Sequence, residues 1–432
     1  MVFWVMVLLG VMILIHELGH YWAALACGVK VEAFSFGFGP RLFGFRRGET
    51  DFRVSAIPFG GYVRMTGEQA GDEKAADPRS FQAKARWQRA IVVFAGPLMN
   101  ILLAIGIVAG LFMHAFPKEV DSVNPVISRI QPGSAAAKAG MQAGDRIVQI
   151  EDRKNPTWQE VQTREVLSAE HPLDVWAERK GETLHFTVTP DMDPKESIGV
   201  AGWYGEPDVM LGDVAANHPA EKAGLKAGDL IVSVEGEPIN STERLQQIIA
   251  KSAGKPITLV FLRDGHMQKA TVAPVSNKET DGQWRIGVML RGRYTIVKLP
   301  FGQAVVESVK WNADKATLIF QVLGGILEHR VSPKTIQGPI GMAKMSRDAA
   351  HEGPMTYLAL MSMVSLNLAI FNLLPIPILD GGVLLLLFIE MVIRRDVSTQ
   401  VKETVFKLGF VFLMMIVVFV LYNDISKMFT NG

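Results

Sequence analysis

The sequence predicts a polytopic α-helical membrane protein: four transmembrane helices, a β-hairpin on the cytoplasmic side or against the membrane, and two tandem α+β domains in one extracytoplasmic loop. Three observations carry this. Apolar windows of about 20 residues, the length that spans a bilayer core, stand at 1–26, 91–113, 357–382 and around 404–422. The segment KAGMQAGDRIVQIE (Lys138 to Glu151) returns 84 residues later as KAGLKAGDLIVSVE (Lys222 to Glu235), which marks a duplicated domain. The averages, 49% hydrophobic and 20% charged with a mean hydropathy of +0.20, are too polar for membrane helices throughout 432 residues. They describe a mixture of a membrane core and soluble domains.

Composition also closes off several classes. With 44 Lys and Arg against 43 Asp and Glu there is no electrostatic case for a nucleic-acid partner. The single Cys27 excludes an intrachain disulfide.

The first window, 1–26, has no basic leader and no small-x-small cleavage site, so it reads as a retained helix. Residues 27–90 follow. There, VEAFSFGFGPRLFGFRR (Val31 to Arg47) and TDFRVSAIPFGGYVRM (Thr50 to Met65) alternate apolar and polar positions around an RRGET turn, the pattern of a hairpin. Basic residues cluster in this segment (Lys30, Arg41, Arg46, Arg47, Arg53, Arg64, Lys84, Arg86, Arg89) and again after the third window (Arg394, Arg395, Lys402, Lys407). Excess Lys and Arg marks cytoplasmic loops, so both termini and the long segment from about 114 to 356 fall on the opposite side. Within that segment the domains run 115–200 and 201–292, and residues 300–350 read as amphipathic helices. Residues 383–403 are expected to be a cytoplasmic segment before the last helix, 404–422.

Each repeat begins with a short helix ending at a Gly, followed by a GD turn, a β-branched strand and a hairpin closed by RKGE or RDGH. This AGLKAGD pattern resembles the PDZ domains of bacterial envelope proteases. The resemblance implies grooves edged by about Val126 to Ile130 and Val209 to Asp213, each accepting an extended peptide by strand addition. The alternative is a pair of spacers with unoccupied grooves.

Chemistry concentrates in HELGH, inside the first apolar window. Four residues are 400 degrees of helix, so His16 and His20 sit one above the other, as two ligands to one ion must. Glu17 then stands where it can accept a proton from the attacking water. An ionisable residue at mid-bilayer costs about 2.5 to 3.5 kcal/mol, which a nearby cation offsets. Zinc is the favoured ion, because helix-borne histidines with a carboxylate and one open position are its usual catalytic set. The third ligand is expected from NLLPIPILDGG (Asn372 to Gly382), whose only charge is Asp380 and whose prolines interrupt the helix at membrane depth.

HELGH in the first helix, GFGP after it, FAGPLMN opening the second, the paired PDZ-like domains and NLLPIPILDGG together resemble the site-2 protease family of intramembrane zinc proteases, over essentially the whole chain. That resemblance implies His16, His20 and Asp380 as zinc ligands and Glu17 as general base. It implies a substrate-gripping role for Asn367 and Asn372, although five residues place them about 140 degrees apart on an unbroken helix. Plain interhelical hydrogen bonds are their other reading. Asn100 reads as packing glue between helices. A membrane-associated hairpin near GFGP, with Gly37, Phe38 and Gly39, is implied to meet the unwound substrate. Val383 departs from the family's pattern, which has His after LDGG.

The implied location is a bacterial inner membrane, with termini and PDZ domains periplasmic and the active site near the cytoplasmic side. The implied substrates are single-span membrane proteins embedded in the lipid bilayer: an anti-sigma factor after prior trimming, and signal-peptide remnants. Trimmed periplasmic ends or peptides would meet the PDZ pair. The rival readings are a non-catalytic membrane receptor with a structural metal, and a metal transporter. The first calls for a fourth protein ligand and the second for inverted repeats, and the sequence offers neither.

Overall fold

The computed structural model describes residues 2–68, 77–114, 116–119, 125–193, 198–205, 209–239, 242–276, 284–291, 294–328, 330–335 and 338–430. The chain opens with helix α1 (Val2–Ala26), strands β1 (Val31–Arg47) and β2 (Thr50–Met65), and helix α2 (Arg86–His114). The long loop then carries β3 (Phe116–Glu119), β4 (Arg129–Ile130), α3 (Ala135–Lys138), β5 (Arg146–Ile150), β6 (Arg153–Lys154), α4 (Trp158–Val166), β7 (Leu173–Arg179), β8 (Glu182–Val188), β9 (Asp191–Met192), β10 (Gly199–Val200) and β11 (Trp203–Tyr204). It continues with β12 (Val209–Val214), α5 (Pro219–Lys222), β13 (Leu230–Val234), β14 (Glu237–Pro238), α6 (Thr242–Lys251), β15 (Ile257–Arg263), β16 (His266–Val272), β17 (Val288–Arg291) and β18 (Tyr294–Val297). Helices α7 (Phe301–Leu327), α8 (Pro339–Glu352), α9 (Pro354–Leu373), α10 (Asp380–Ile393) and α11 (Thr399–Thr430) close the chain.

Two units result. The first comprises Met1–Phe116, Lys298–Gln321 and Ile336–Gly432; the second comprises Pro117–Val297 and Val322–Thr335. Within the first, α1, α2, α9 and α11 are long and apolar enough to cross a membrane. α1 packs on α2, and α2 on α9. α11 stands apart, with only 6% of its apolar window buried by protein, so its side chains are left for lipid.

The third apolar window departs from expectation. Residues 357–382 are not one helix: α9 ends at Leu373, Pro375 and Pro377 withhold backbone donors, and Asp380 opens a new helix. The expected cytoplasmic segment 383–403 is therefore helical as far as Ile393, and turns only there, with Arg394 at φ 57°. At 14 residues α10 is too short to span a bilayer. The second and fourth helices also run past their windows, because the polar residues at their ends (Arg86 to Arg89, Ser398 to Lys402) still extend the hydrogen-bonded ladder.

The hairpin is more folded than the alternation predicted. Ala33–Phe36 is flanked on one side by Gly61–Arg64 and on the other by Asp51–Val54, whose far side is taken by Phe43–Arg46. Two strands thus make four sheet segments. The bend in β1 falls at Gly37 and Gly39, with φ near +90°, and a Cβ on Gly37 would lie 2.6 Å from the Ile57 carbonyl oxygen. Beyond the bend, Leu42, Phe43 and Phe45 are each more than 60% exposed.

In the second unit the repeat is visible as structure. β5, β6, α4, β7 and β8 recur in order as β13, β14, α6, β15 and β16, each set around its own core: Ile127, Ile147, Leu173 and Val175, then Leu211, Ile231, Leu245 and Leu259. The same ion pair locks both copies. Asp145, buried, accepts bonds from Arg179 Nε (2.6 Å) and Nη2 (2.7 Å), and Asp229 does so from Arg263 (2.6 Å and 2.6 Å). The hairpin turns are read correctly from sequence, with Lys180-Gly181 and Asp264-Gly265 all at positive φ. The expected groove edges are not free edges. Arg129–Ile130 pairs with β11, and β12 lies between β13 and β17, because the chain after each hairpin returns to cover them.

Candidate metal centre

The centre is built where α1, α2 and α10 meet. The helical period of α1 stacks the two imidazoles, and their Nε2 atoms are 3.1 Å apart. Asp380, the first residue of α10, brings Oδ2 to 3.2 Å from His16 Nε2 and Oδ1 to 3.7 Å from His20 Nε2. These three residues form the one His, Cys, Asp or Glu group of metal-binding spacing found among the described residues. Both histidines are buried.

Their other ring nitrogens fix the tautomers. His20 Nδ1 donates to the Val92 carbonyl (2.9 Å), near the gap that Pro97 leaves in the α2 ladder, so Nε2 presents a lone pair. His16 Nδ1 lies 3.3 Å from the side-chain amide of Asn100, whose Oδ1 is otherwise buried without a partner. Carboxamide oxygen and nitrogen are interchangeable in shape: with the amide exchanged, His16 Nδ1–H donates to Oδ1 and His16 Nε2 is left bare, while the buried position without a partner passes to Nδ2. Asn100 is thus more than interhelical packing. Two bare imidazole nitrogens and a carboxylate, with Asp380 Oδ2 itself unpartnered, then converge without a proton between them. Such a set repels itself unless a cation sits among it, and two nitrogens with one carboxylate suit zinc.

Glycines let the helices close on the site. A Cβ at Gly96 would lie 2.3 Å from His20 Nε2 and 2.9 Å from His16 Cε1. One at Gly381 or Gly382 would meet the carbonyl oxygens of Leu374 or Ile376 at 2.2 to 2.3 Å, so the two glycines of LDGG seat the first turn of α10 against the broken end of α9.

A profile of Peptidase family M50 matches residues 4–416. The chain belongs to peptidase family M50. It is accordingly a zinc metalloprotease of the site-2 type. The chain is 33% identical to the "Regulator of sigma-E protease RseP" of Salmonella typhimurium, over 97% of each chain, and 31% identical to a "Putative zinc metalloprotease" of Treponema pallidum, over 98% of each. Among solved structures, the PDZ domain of an SdrC-like protein from Listeria monocytogenes matches at 22% identity and a TM-score of 0.19, over 20% of this chain and 90% of that one.

Around this M50 centre the remaining expected residues divide. Glu17, the residue after His16 and outside that cluster, packs against β2, where a Cβ on Gly61 would lie 3.2 Å from its Cγ. Asn372 reaches the site, with Nδ2 3.5 Å from His16 Nε2. Asn367 does not share that contact; its amide oxygen is buried without a partner. Gly37 and Gly39 form the β1 bend, and Phe38 stacks on Tyr62 (6.1 Å, 13°), leaving Gly61–Val63 as the hairpin segment at Glu17. Val383 packs with Val92, Val93 and Leu387, an apolar contact in place of a polar one. Glu68, just after β2, is held above the usual carboxylate range by burial, with a smaller opposing effect from its bond to the Met65 amide. Sequence reasoning missed Val92, Gly96 as a contact to both imidazoles, and Gly61. Each acts across a helix or sheet contact that periodicity within one segment does not carry.

Proposed function

We propose that this M50 peptidase is an intramembrane endopeptidase of the bacterial inner membrane, cutting the membrane-spanning segments of single-span proteins. The observation that carries the reading is the His16, His20 and Asp380 cluster with Glu17 beside it, both histidines and Glu17 standing on α1, a helix long and apolar enough to cross a membrane. His16, His20 and Asp380 hold the zinc. Bound there, zinc supplies an acidified water and a polarised scissile carbonyl. The Glu17 carboxylate takes the proton from the attacking water and passes it to the leaving amine nitrogen, and packing against β2 at Gly61 holds that side chain in place. Asn372 offers its amide to the substrate backbone next to His16, with Asn367 a turn and a half away on α9.

A helical substrate hides its carbonyls in its own hydrogen bonds, so it must be unwound. Among the described residues, the segment Gly61–Arg64 is paired on one side only, by Ala33–Phe36, and an extended substrate added to its other side would lie along Glu17. Gly37, Phe38 and Gly39 shape the sheet that presents it. In the second unit, the tandem repeats act as PDZ domains that exclude untrimmed, bulky extracytoplasmic portions. The relatives named "Regulator of sigma-E protease RseP" support an anti-sigma factor as one substrate class, with signal-peptide remnants as another. The termini and the PDZ pair are periplasmic and the site faces the cytoplasmic third of the membrane, as the basic residues around β1 and β2 argue.

The rival reading, a receptor with a structural metal, needs a closed four-ligand site; three protein ligands are found among the described residues. The test is cleavage of a single-span reporter in detergent by wild type and Glu17→Gln, with zinc measured in both. Equal cleavage would sink the catalytic role of Glu17, and full zinc with no cleavage by either would favour the receptor. Cysteine labelling near Arg47 and near Gly265 should report opposite sides of the membrane.

A further inference from the structure

α10 is a short helix between two breaks: residues 374–379 are non-helical before it, and Arg394 turns the chain after it. Its placement therefore depends on side contacts rather than on helical continuity. At its start are the close approaches of Gly381 and Gly382, and in its middle Leu387 is buried with Ala24, Val92 and Val93. At its end is Glu390, whose side chain is 1% exposed. A carboxylate buried that deeply costs several kcal/mol unless cations and donors surround it. Lys402 Nζ at the start of α11 is 2.6 Å away, the Val397 amide donates at 3.0 Å, and Arg89 Nη2 of α2 lies 3.7 Å away. Arg89, itself 8% exposed, also reaches Asp396 at 3.4 Å, which Arg86 meets at 3.1 Å.

The two ends of α10 are mechanically one object. Glu390 is ten residues after Asp380, about 15 Å along the axis and some 80 degrees short of three full turns, so both carboxylates face broadly toward α2. Arg89 is one turn before Val92, whose carbonyl holds His20 Nδ1. The same stretch of α2 thus grips the histidine half of the centre and the far end of the helix that carries its carboxylate.

We propose that Glu390 is a positioning residue: through Arg89 and Lys402 it sets the rotation and depth of α10 on α2, and so holds the Asp380 carboxylate against His16 and His20. The proposal rests on those three residues being the metal ligands. Neither Glu390 nor Arg89 touches substrate or metal, and the network acts through Asp380 alone.

The experiment loads the full-length protein in detergent with cobalt, whose visible bands report ligand number and geometry, and measures zinc affinity by chelator competition. Glu390→Gln is expected to weaken zinc roughly tenfold, in the range of outer contacts to metal ligands, and to alter the cobalt bands. Arg89→Met is expected to do the same, while Arg89→Lys, which keeps the charge, retains most of the affinity. Should the glutamine variant not fold, the Arg89 pair decides the matter. An unchanged cobalt spectrum and zinc affinity in Glu390→Gln, or equal losses in Arg89→Lys and Arg89→Met, would overturn the proposal while leaving the centre in place. Wild-type protein whose cobalt bands survive replacement of His16 or Asp380 by Ala would overturn the ligand reading and the proposal with it.

Discussion

Replacing Gly96 by Ala adds one methyl group to α2 at the point where both imidazoles lie against it. The new Cβ would sit 2.3 Å from His20 Nε2, 2.5 Å from His20 Cε1 and 2.9 Å from His16 Cε1. Ordinary contact begins at about 3.4 Å, so the nearest ligand nitrogen must retreat by about 1 Å. Metal–ligand distances tolerate only about 0.2 Å, and a displacement of about 1 Å at a reacting centre costs roughly 100-fold in rate. The imidazoles cannot simply swing away. His20 Nδ1 is tethered to the Val92 carbonyl and His16 Nδ1 to Asn100, so moving either ring forfeits a buried hydrogen bond. Meanwhile alanine is the better helix former by about 1 kcal/mol, so helix propensity works against any general unfolding.

The expected outcome is a folded protein with zinc affinity and reporter cleavage reduced roughly 100-fold. Two glycines of the same helix supply the control. A Cβ at Gly106 or Gly110 would meet nothing within 4 Å, so those alanine variants should keep wild-type zinc binding. Chelator competition and cleavage of a single-span reporter measure both quantities. Wild-type zinc affinity in Gly96→Ala would refute the packing argument, and equal losses at Gly106 would show that the effect is not local to the ligands.

Three further outcomes are expected. Glu17→Gln should keep zinc and lose cleavage by about 10²- to 10⁴-fold, read as single-turnover rates with metal content determined alongside. Glu165, on α4, accepts bonds from the Ala201 amide (2.6 Å) and Trp203 Nε1 (2.8 Å), and burial raises its pKa to about 7 against those bonds. Its protonated form is favoured by folding, so its contribution is complete below pH 4.5 and lost as pH rises through 7; hydrogen-exchange protection at Ala201 and Trp203 should fall more steeply over that range in wild type than in Glu165→Gln. Asp145→Asn should lower the stability of the first repeat by about 2 kcal/mol, and Asp229→Asn should do so similarly in the second, because both carboxylates take the same pair of arginine bonds; unequal shifts in the melts would contradict that equivalence.

What could be read from sequence follows from how far each signal reaches along the chain. His16 and His20 were legible because one helical period fixes their relation, and Asp380 because it is the only charge in its apolar stretch. The repeat was legible because its turns depend on residues two or three apart. The break between α9 and α10 was only half legible: the two prolines announced an interruption, but not that Asp380 would begin a new helix. The sheet was harder. Alternation gives which residues share a face, yet Ala33–Phe36 pairs on both sides with parts of one β2, and nothing local says where the strands fold back. Val92 and Asn100 support the ligands across separations of 72 and 84 residues, where a single sequence carries no pattern.

α10 contains two acids, and their surroundings separate their roles. Glu390 is more buried than Asp380, with a side chain 1% exposed against 21%, yet its charge is met within the protein by Lys402 at 2.6 Å, the Val397 amide at 3.0 Å and Arg89 at 3.7 Å, although its Oε2 accepts no hydrogen bond. Asp380 has only the two imidazoles as ion-pair partners among the described residues, and Oδ2 accepts no hydrogen bond. The two imidazoles donate from Nδ1, His20 to the Val92 carbonyl and, with the Asn100 amide exchanged, His16 to Asn100, so their Nε2 atoms, 3.1 Å apart, present lone pairs. A divalent ion resolves both demands at once, compensating the carboxylate while using the bare nitrogens. The charge that Glu390 finds in arginine and lysine is the charge that Asp380 leaves for metal.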